Sequence, residues 1–109
     1  MQTVHNVFKI VETDQKNSLL NILSDKYCRT IIESTTYKPK SVMEITRETH
    51  IPMSTTYRKI QLLHDHKLLK ISGTITDDGK KLFLYKSKVR GIQSVFRDGN
   101  IEVELILNY

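Results

Sequence analysis

The sequence is poor in the residues that build disulfide-rich or membrane-spanning proteins. Its 109 residues include a single cysteine, Cys28, which excludes an internal disulfide and fits a reducing compartment. No apolar run approaches the roughly 20 residues of a membrane span. The N-terminus also lacks the basic-then-apolar order of a signal peptide. We therefore expect a cytoplasmic protein.

Groups suited to catalysis or metal binding are also sparse. The chain has no glycine-rich phosphate loop and no clustered carboxylate pair. His64 and His66 are two residues apart, and such side chains do not face each other on a helix, so they cannot share one ion. Cys28 lies among apolar positions, which favours a buried core residue over a reactive thiol. We expect no enzymatic activity, no cofactor and no metal.

The positive charge is concentrated in the middle of the chain. The net charge is +5, yet residues 1–36 hold four basic and four acidic residues and are neutral. Residues 37–90 hold twelve basic against five acidic residues, a surplus of +7, whereas residues 91–109 carry −2. Such a field suits a polyanion, although a merely solvated basic surface is the alternative.

The first third of the chain predicts helices after an ambiguous start. The apolar residues of 1–16 match helical spacing, whereas the segment VFKIV could equally be a short strand. A polar break over 14–17 precedes Ser18, which we predict to cap a helix containing Leu19 to Leu23. Asp25, after Ser24, is a second cap signal, for a helix with an apolar face of Tyr27, Cys28, Ile31 and Ile32.

Residues 41–58, SVMEITRETHIPMSTTYR, predict two short helices joined by a tight turn. Ser41 and Glu44 have the spacing of a capping box, and Pro52 cannot continue the first helix. Ser54 is predicted to cap the second helix, which runs to about His66. Thr56, Ile60 and Leu63 share its core face, and the polar and basic residues Thr55, Tyr57, Arg58, Lys59 and Gln61 fall outside that face.

Beyond Leu68 the apolar period changes from 3.6 to 2, which predicts strands. LLKISGTIT and KKLFLYKSKV flank the turn sequence Asp77-Asp78-Gly79, with Lys80 and Lys81 beside the tip. A second hairpin is predicted around Asp98-Gly99-Asn100. One face of its last strand is apolar, and a hairpin of this kind must cover its own domain or a partner.

The order of helices followed by a basic-tipped hairpin resembles a winged helix-turn-helix. IPMSTTYRKIQLLHDHKLLK resembles the pattern of a Ser/Thr-rich helix start, an arginine, Leu-x-x-Leu and a closing "GLL". LSDKYCRTIIE is similar to the "Leu-Ser-Asp-x-x-Arg-x-x-Ile-Leu" helix of ArsR-type regulators. Together these segments cover about residues 18–90 and resemble a small archaeal ArsR-like transcriptional regulator. Thr56 and Lys67 depart from the family pattern, which has an apolar residue and a glycine there, and the cysteine pairs of ArsR metal sensors are missing.

The length predicts one domain over residues 1–109, which we expect to be α+β, with the family resemblance confined to a core over 18–90 and followed by an additional C-terminal β-hairpin over 91–109. Three to four helices and a β-hairpin wing would make up the core. The implied function is sequence-specific recognition of double-stranded DNA in the major groove, with transcription as the regulated process. The implied DNA-binding residues are Ser54, Thr55, Thr56, Tyr57, Arg58 and Lys59 on the helix, Lys38 and Lys40 before it, and Lys80 and Lys81 on the wing.

Two further expectations concern partners. Apolar residues at both ends of the chain predict a homodimer, with the N-terminal segment or the C-terminal hairpin at the interface. The alternative function is a winged-helix module that binds proteins of the transcription machinery without reading DNA. The sequence does not indicate whether a small effector binds, which operator is read, or whether transcription is activated or repressed.

Overall fold

In the computed structural model, which describes residues 6–108, four helices and five strands form an α+β fold. In chain order the elements are β1 (Val7–Ile10), α1 (Thr13–Ser24), α2 (Lys26–Ser34), α3 (Val42–Thr49), α4 (Met53–Asp65), β2 (Leu69–Ile75), β3 (Lys81–Ser87), β4 (Val89–Arg97) and β5 (Asn100–Leu107). This order is compatible with the expected winged-helix arrangement. No helix within residues 6–108 has the length and apolar character needed to cross a membrane.

The strands form two antiparallel sheets. β2 and β3 make a hairpin, and Lys40 adds an isolated bridge to Tyr85 at its edge. The other sheet has the order β1-β5-β4, so the last strand of the chain lies between the first strand and its own hairpin partner. The Asn108 amide donates to the carbonyls of Thr36 and Ser87, and these bonds attach the end of β5 to the helical body.

The start of the chain differs from the sequence prediction. Val7–Ile10 is a strand paired with β5, which decides between helix and strand there; Val4, the first apolar residue of the helical alternative, lies outside the described residues. The polar break and the Ser18 cap are wrong, because α1 already begins at Thr13 and Ser18 lies inside it, donating its hydroxyl to the Asp14 carbonyl. Leu19 and Ile22 are buried against the rest of the fold, and this packing stabilises the whole helix, including its polar first turns.

The caps of α2 and α3 are confirmed. The Asp25 carboxylate accepts the backbone N–H groups of Tyr27 at 2.8 Å and Cys28 at 3.1 Å. At α3, the Ser41 hydroxyl accepts the Glu44 N–H and the Glu44 carboxylate accepts the Ser41 N–H, both at 3.2 Å. This is the reciprocal capping box that the sequence predicts, and it holds the start of α3 with Ser41 buried.

The predicted cap of α4 is wrong. The helix begins at Met53, Pro52 occupies the N-cap position, and no side chain caps the helix, so Ser54 is an exposed residue of its first turn. The Pro52 carbonyl accepts the Thr56 N–H at 2.9 Å and starts the helical ladder. Proline suits this boundary because its backbone is restrained and it has no N–H of its own to satisfy.

The core face of α4 is confirmed by burial. Thr56, Ile60 and Leu63 are all buried, facing α2 and α3. The helix ends where the Leu68 N–H bonds the Leu63 carbonyl and the Lys67 N–H bonds the His64 carbonyl. These two bonds define a Schellman motif, with Lys67 at φ 61° in the left-handed position. The lysine therefore adopts the backbone geometry that glycine commonly has at the end of a helix.

The C-terminal hairpin covers its own fold at one end only. Its turn, Asp98-Gly99, has φ angles of 53° and 78°, both positive as a two-residue type I′ turn requires. Val103 in the middle of β5 is completely buried. Towards the tip, Phe96 and Ile101 face each other across the two strands and remain exposed. The same apolar face thus begins in the core and ends in solvent.

Candidate nucleic-acid interface

The exposed side of α4 is a polar and basic stripe opposite its core face. Ser54, Tyr57, Arg58 and Gln61 recur at intervals of three and four residues, and all four are exposed. We call these four residues the α4 stripe. The Arg58 guanidinium has one contact, with the Thr55 hydroxyl at 3.4 Å, so most of its donors face solvent. Gln61 is the member that the predicted site omits, although it lies one turn beyond Tyr57.

Thr56 does not belong to this surface. Its side chain is completely buried, and its hydroxyl donates to the Pro52 carbonyl at 3.1 Å. A contact between Thr56 and DNA would require α4 to leave the core. The residue instead occupies a core position, and its hydroxyl is satisfied inside the helix start.

Lys59 is engaged in an ion pair rather than presented to solvent. Its ammonium contacts the Asp25 carboxylate, which also caps α2, and both side chains are partly buried. The hydrogen bond from Lys59 lowers the pKa of Asp25, ahead of the backbone N–H groups that the carboxylate accepts. The pair joins α4 to the α1–α2 junction. Lys59 therefore positions α4 instead of offering a free charge to a phosphate.

Lys40 is also occupied. Its ammonium lies 2.6 Å from the Glu48 carboxylate and its side chain is only 16% exposed. The contact with Lys40 lowers the pKa of Glu48. The Lys40 backbone exchanges two hydrogen bonds with Tyr85, which attaches the segment before α3 to β3. Lys38, two residues earlier, is exposed and carries the free charge of this segment.

The tip of the β2–β3 hairpin is less basic than its lysines suggest. Lys80 is 83% exposed and lies 3.9 Å from Asp78, while the Lys81 ammonium lies 5.0 Å from the centre of the Phe83 ring. Asp77 and Asp78 precede them, so two carboxylates balance the two ammonium groups at the tip. Both lysines are accessible, but the local net charge is zero.

An apolar cleft separates α4 from this hairpin, and the sequence did not predict it. Its cavity volume is about 210 Å³, and Met43, Tyr57 and Phe83 line it with half-exposed side chains. Tyr85 closes the cleft, and burial, followed by the nearby Tyr57, raises the pKa of the Tyr85 hydroxyl. The stripe and the hairpin thus frame a surface that is apolar in the middle, with the exposed charges of Arg58, Lys80 and Lys81 at its edges.

Cys28 is a core residue and does not belong to this surface. The thiol is completely buried in the core, and desolvation, reinforced by the Asp25 charge, raises its pKa to about 11. A thiol with such a pKa is a poor nucleophile at neutral pH, so the side chain acts as a small apolar residue, as the sequence indicates. Within residues 6–108 no group of three or more histidine, cysteine or acidic side chains is placed to hold a metal ion.

Comparison of the sequence with protein-family models and with curated proteins yields no match in either.

Proposed function

We propose that the chain is a winged helix-turn-helix protein that binds double-stranded DNA sequence-specifically and regulates transcription. The observation that carries the proposal is the α4 stripe, which stays exposed while the opposite face of the same helix is fixed in the core. Ile51 and Pro52 lie in the tight connection between α3 and α4, which would be the two helices of the helix-turn-helix. The β2–β3 hairpin would be the wing. The resemblance to archaeal ArsR-like regulators supports the same function.

The stripe offers groups of the kinds that read base edges. An arginine such as Arg58 donates two hydrogen bonds to guanine, a contact that discriminates by about 1–3 kcal/mol. Gln61 has the amide that pairs with adenine, and it now donates to Asp65 at 2.8 Å. Ser54, Tyr57 and the half-buried Thr55 stand at the N-terminal part of α4, where hydroxyls and the positive end of the helix suit a phosphate.

The charges at the edges would position the duplex. Lys38, Lys80 and Lys81 are exposed and suit phosphate contacts, which orient DNA without reading its sequence. Lys40 and Lys59 are each already paired with a carboxylate. They therefore hold the elements of the interface in place instead of contacting phosphates. The proposed contact set is therefore smaller on the helix than the sequence implied and includes Gln61.

We also infer that the protein acts as a homodimer, since helix-turn-helix proteins commonly read paired half-sites. The apolar end of the C-terminal hairpin, Phe96 with Ile101, is a surface that a second copy would cover, since the two side chains face each other across the strands and Phe96 is 72% exposed. Two copies joined there would carry two α4 stripes, one for each half-site.

Selection of bound duplexes from a random DNA pool tests the function directly. We expect an enriched sequence with two related half-sites, and loss of preference at one position of each half-site in Arg58→Ala. Arg97→Ala, which removes an exposed guanidinium at the far end of β4, is the matched control and should retain the preference. A pool without enrichment would contradict the proposal, and an unchanged preference in Arg58→Ala would remove Arg58 from the reading role.

The apolar cleft favours a second candidate, a protein-binding module. Met43, Tyr57 and Phe83 would be unusual neighbours for a phosphate but common at a protein interface. The salt dependence separates the two functions. DNA affinity that falls steeply as salt rises supports DNA binding, whereas absence of DNA binding at low salt favours the protein-binding module.

A further inference from the structure

A cavity of about 420 Å³ opens between α1, α2 and the start of β4, away from the α4 stripe. Its floor is apolar and consists of Ile22, Ile32 and Ile92, the first two of which are buried. No residue of α3, α4 or the β2–β3 hairpin lines it. The volume falls in the range of about 300–1,000 Å³ typical of small-molecule sites.

Two guanidinium groups stand at the rim of this cavity. Arg29 donates to the Leu23 carbonyl at 2.8 Å, which holds it across the α1–α2 junction. Arg90 lies 5.9 Å from the centre of the Tyr37 ring and 3.3 Å from its hydroxyl. Each contact uses only part of a guanidinium that has five N–H donors. Glu33 is the single carboxylate among the lining residues, and neither arginine forms a salt bridge among the described residues, so the rim has a surplus of positive charge.

We propose that this cavity binds a small organic anion with an apolar body, such as an aromatic or aliphatic carboxylate or sulfonate. The isoleucine floor would take the apolar body and exclude water from it. Arg29 and Arg90 would take the anionic group, because arginine donates paired hydrogen bonds to oxyanions, planar carboxylates and tetrahedral groups such as phosphate alike. Tyr37, which lines the cavity and is 78% exposed, would cover the ligand. The site is independent of the proposed DNA binding.

The anionic dye 1-anilinonaphthalene-8-sulfonate and its neutral counterpart N-phenyl-1-naphthylamine form a matched pair of probes. They share the two aromatic groups and differ in the sulfonate. We expect saturable binding of the anionic dye at one site per chain, detected by its fluorescence. In Arg29→Gln/Arg90→Gln its Kd should rise about tenfold or more, since charged hydrogen bonds are lost, while the Kd of the neutral dye changes by less than about twofold.

Arg97→Gln is the matched control, because it removes an exposed guanidinium from the same strand outside the cavity, and it should leave both Kd values unchanged. Far-UV circular dichroism checks that every variant is folded. Absence of saturable binding, or equal losses for the two dyes in the double variant, would overturn the proposal. β4 pairs with β5 on one side only among the described residues, so a second copy could instead cover the cavity. Dye affinity that falls as light scattering reports dimer formation would indicate that cover and would also overturn it.

Discussion

Lys67 has a backbone φ angle that residues other than glycine rarely adopt. Its φ of 61° places a residue with a Cβ atom in the left-handed region, at the position where helices commonly end on glycine. The conformation persists because Leu68 is buried directly after it and the two bonds of the Schellman motif close the helix. The core contacts of Leu68 outweigh the local backbone cost.

We therefore expect Lys67→Gly to raise the free energy of unfolding by about 1 kcal/mol, because glycine adopts this φ without a Cβ clash. Urea unfolding measures the change. Lys67→Ala is the control, since alanine removes the charge but keeps the Cβ atom, and its effect should stay within about 0.5 kcal/mol. An equal gain in both variants would show that the lysine charge, not the backbone angle, is the cause.

Asp25 serves two elements at once, as the cap of α2 and as the partner of Lys59. Asp25→Asn removes the charge but keeps a capping oxygen, whereas Asp25→Ala removes both. We expect both variants to lose stability in urea unfolding at about pH 7, with the alanine variant losing about 1 kcal/mol more. Similar losses in both would indicate that the cap contributes little.

The pH dependence of the Asp25 contribution has a defined sign. Lys59 lowers the pKa of Asp25 in the folded protein below the ordinary 3.8, so the stabilisation is fully present above that value and is lost as the pH falls through the folded pKa. The stability gap between the native protein and Asp25→Asn should stay constant above about pH 5 and narrow below about pH 4. A gap that is unchanged on acidification would contradict the ion pair.

At the scale of elements, α4 and the β2–β3 hairpin divide the proposed binding surface into a reading part and a positioning part. The positioning part is the more sensitive to salt, because each neutralised phosphate contributes about 0.9 to the slope of log affinity against log salt. The hairpin tip carries two lysines and two aspartates, Asp77 and Asp78. Removal of a lysine charge therefore makes the tip negative, and removal of an aspartate charge makes it positive.

Lys80→Ala/Lys81→Ala should lower the salt slope by about 1.8 while leaving sequence preference unchanged, because phosphate contacts do not read bases. Fluorescence anisotropy with the selected duplex over a salt series measures both effects. Asp77→Asn changes the tip charge in the opposite sense and should tighten binding at low salt. A loss of sequence preference in the lysine variant would show that the hairpin also reads bases.

At the scale of the whole molecule, the chain is extended. Its radius of gyration is 15.3 Å and its extents are 57 × 35 × 22 Å, whereas a compact chain of this length has a radius of about 13 Å. At the tip of the C-terminal hairpin the Lys16 ammonium donates to the Ile101 carbonyl at 3.1 Å, but the side chains of Phe96 and Ile101 stay exposed. A second copy could bury that tip.

Phe96→Ser should convert the proposed dimer to a monomer at tens of micromolar, because the substitution removes the largest exposed apolar side chain of that face. Light scattering reports the mass. The neighbouring Val95 points to the opposite face of the sheet, beside Glu102, so Val95→Ser is the matched control and should remain dimeric. A monomeric native protein at the same concentration would contradict the homodimer proposal.

The sequence by itself determined most of the features that depend on neighbouring residues, the Ser18 and Ser54 caps being the exceptions. The Ser41–Glu44 capping box, the Asp25 cap, the two hairpins and the core face of α4 each follow from spacings of a few residues, and all are present in the fold. Such features are local because a hydroxyl or carboxylate reaches only the next turn of its own helix, and side-chain alternation is fixed by the strand itself.

Only the tertiary structure decided which side chains are available to a partner. Asp25, the partner of Lys59, lies 34 positions away in the sequence, and β5, the strand with which β1 pairs, lies at the other end of the chain. A pattern of residue types carries no information about such distant contacts. The same limit explains why burial of α1 overrode its polar start, since packing energy depends on neighbours brought together by the fold.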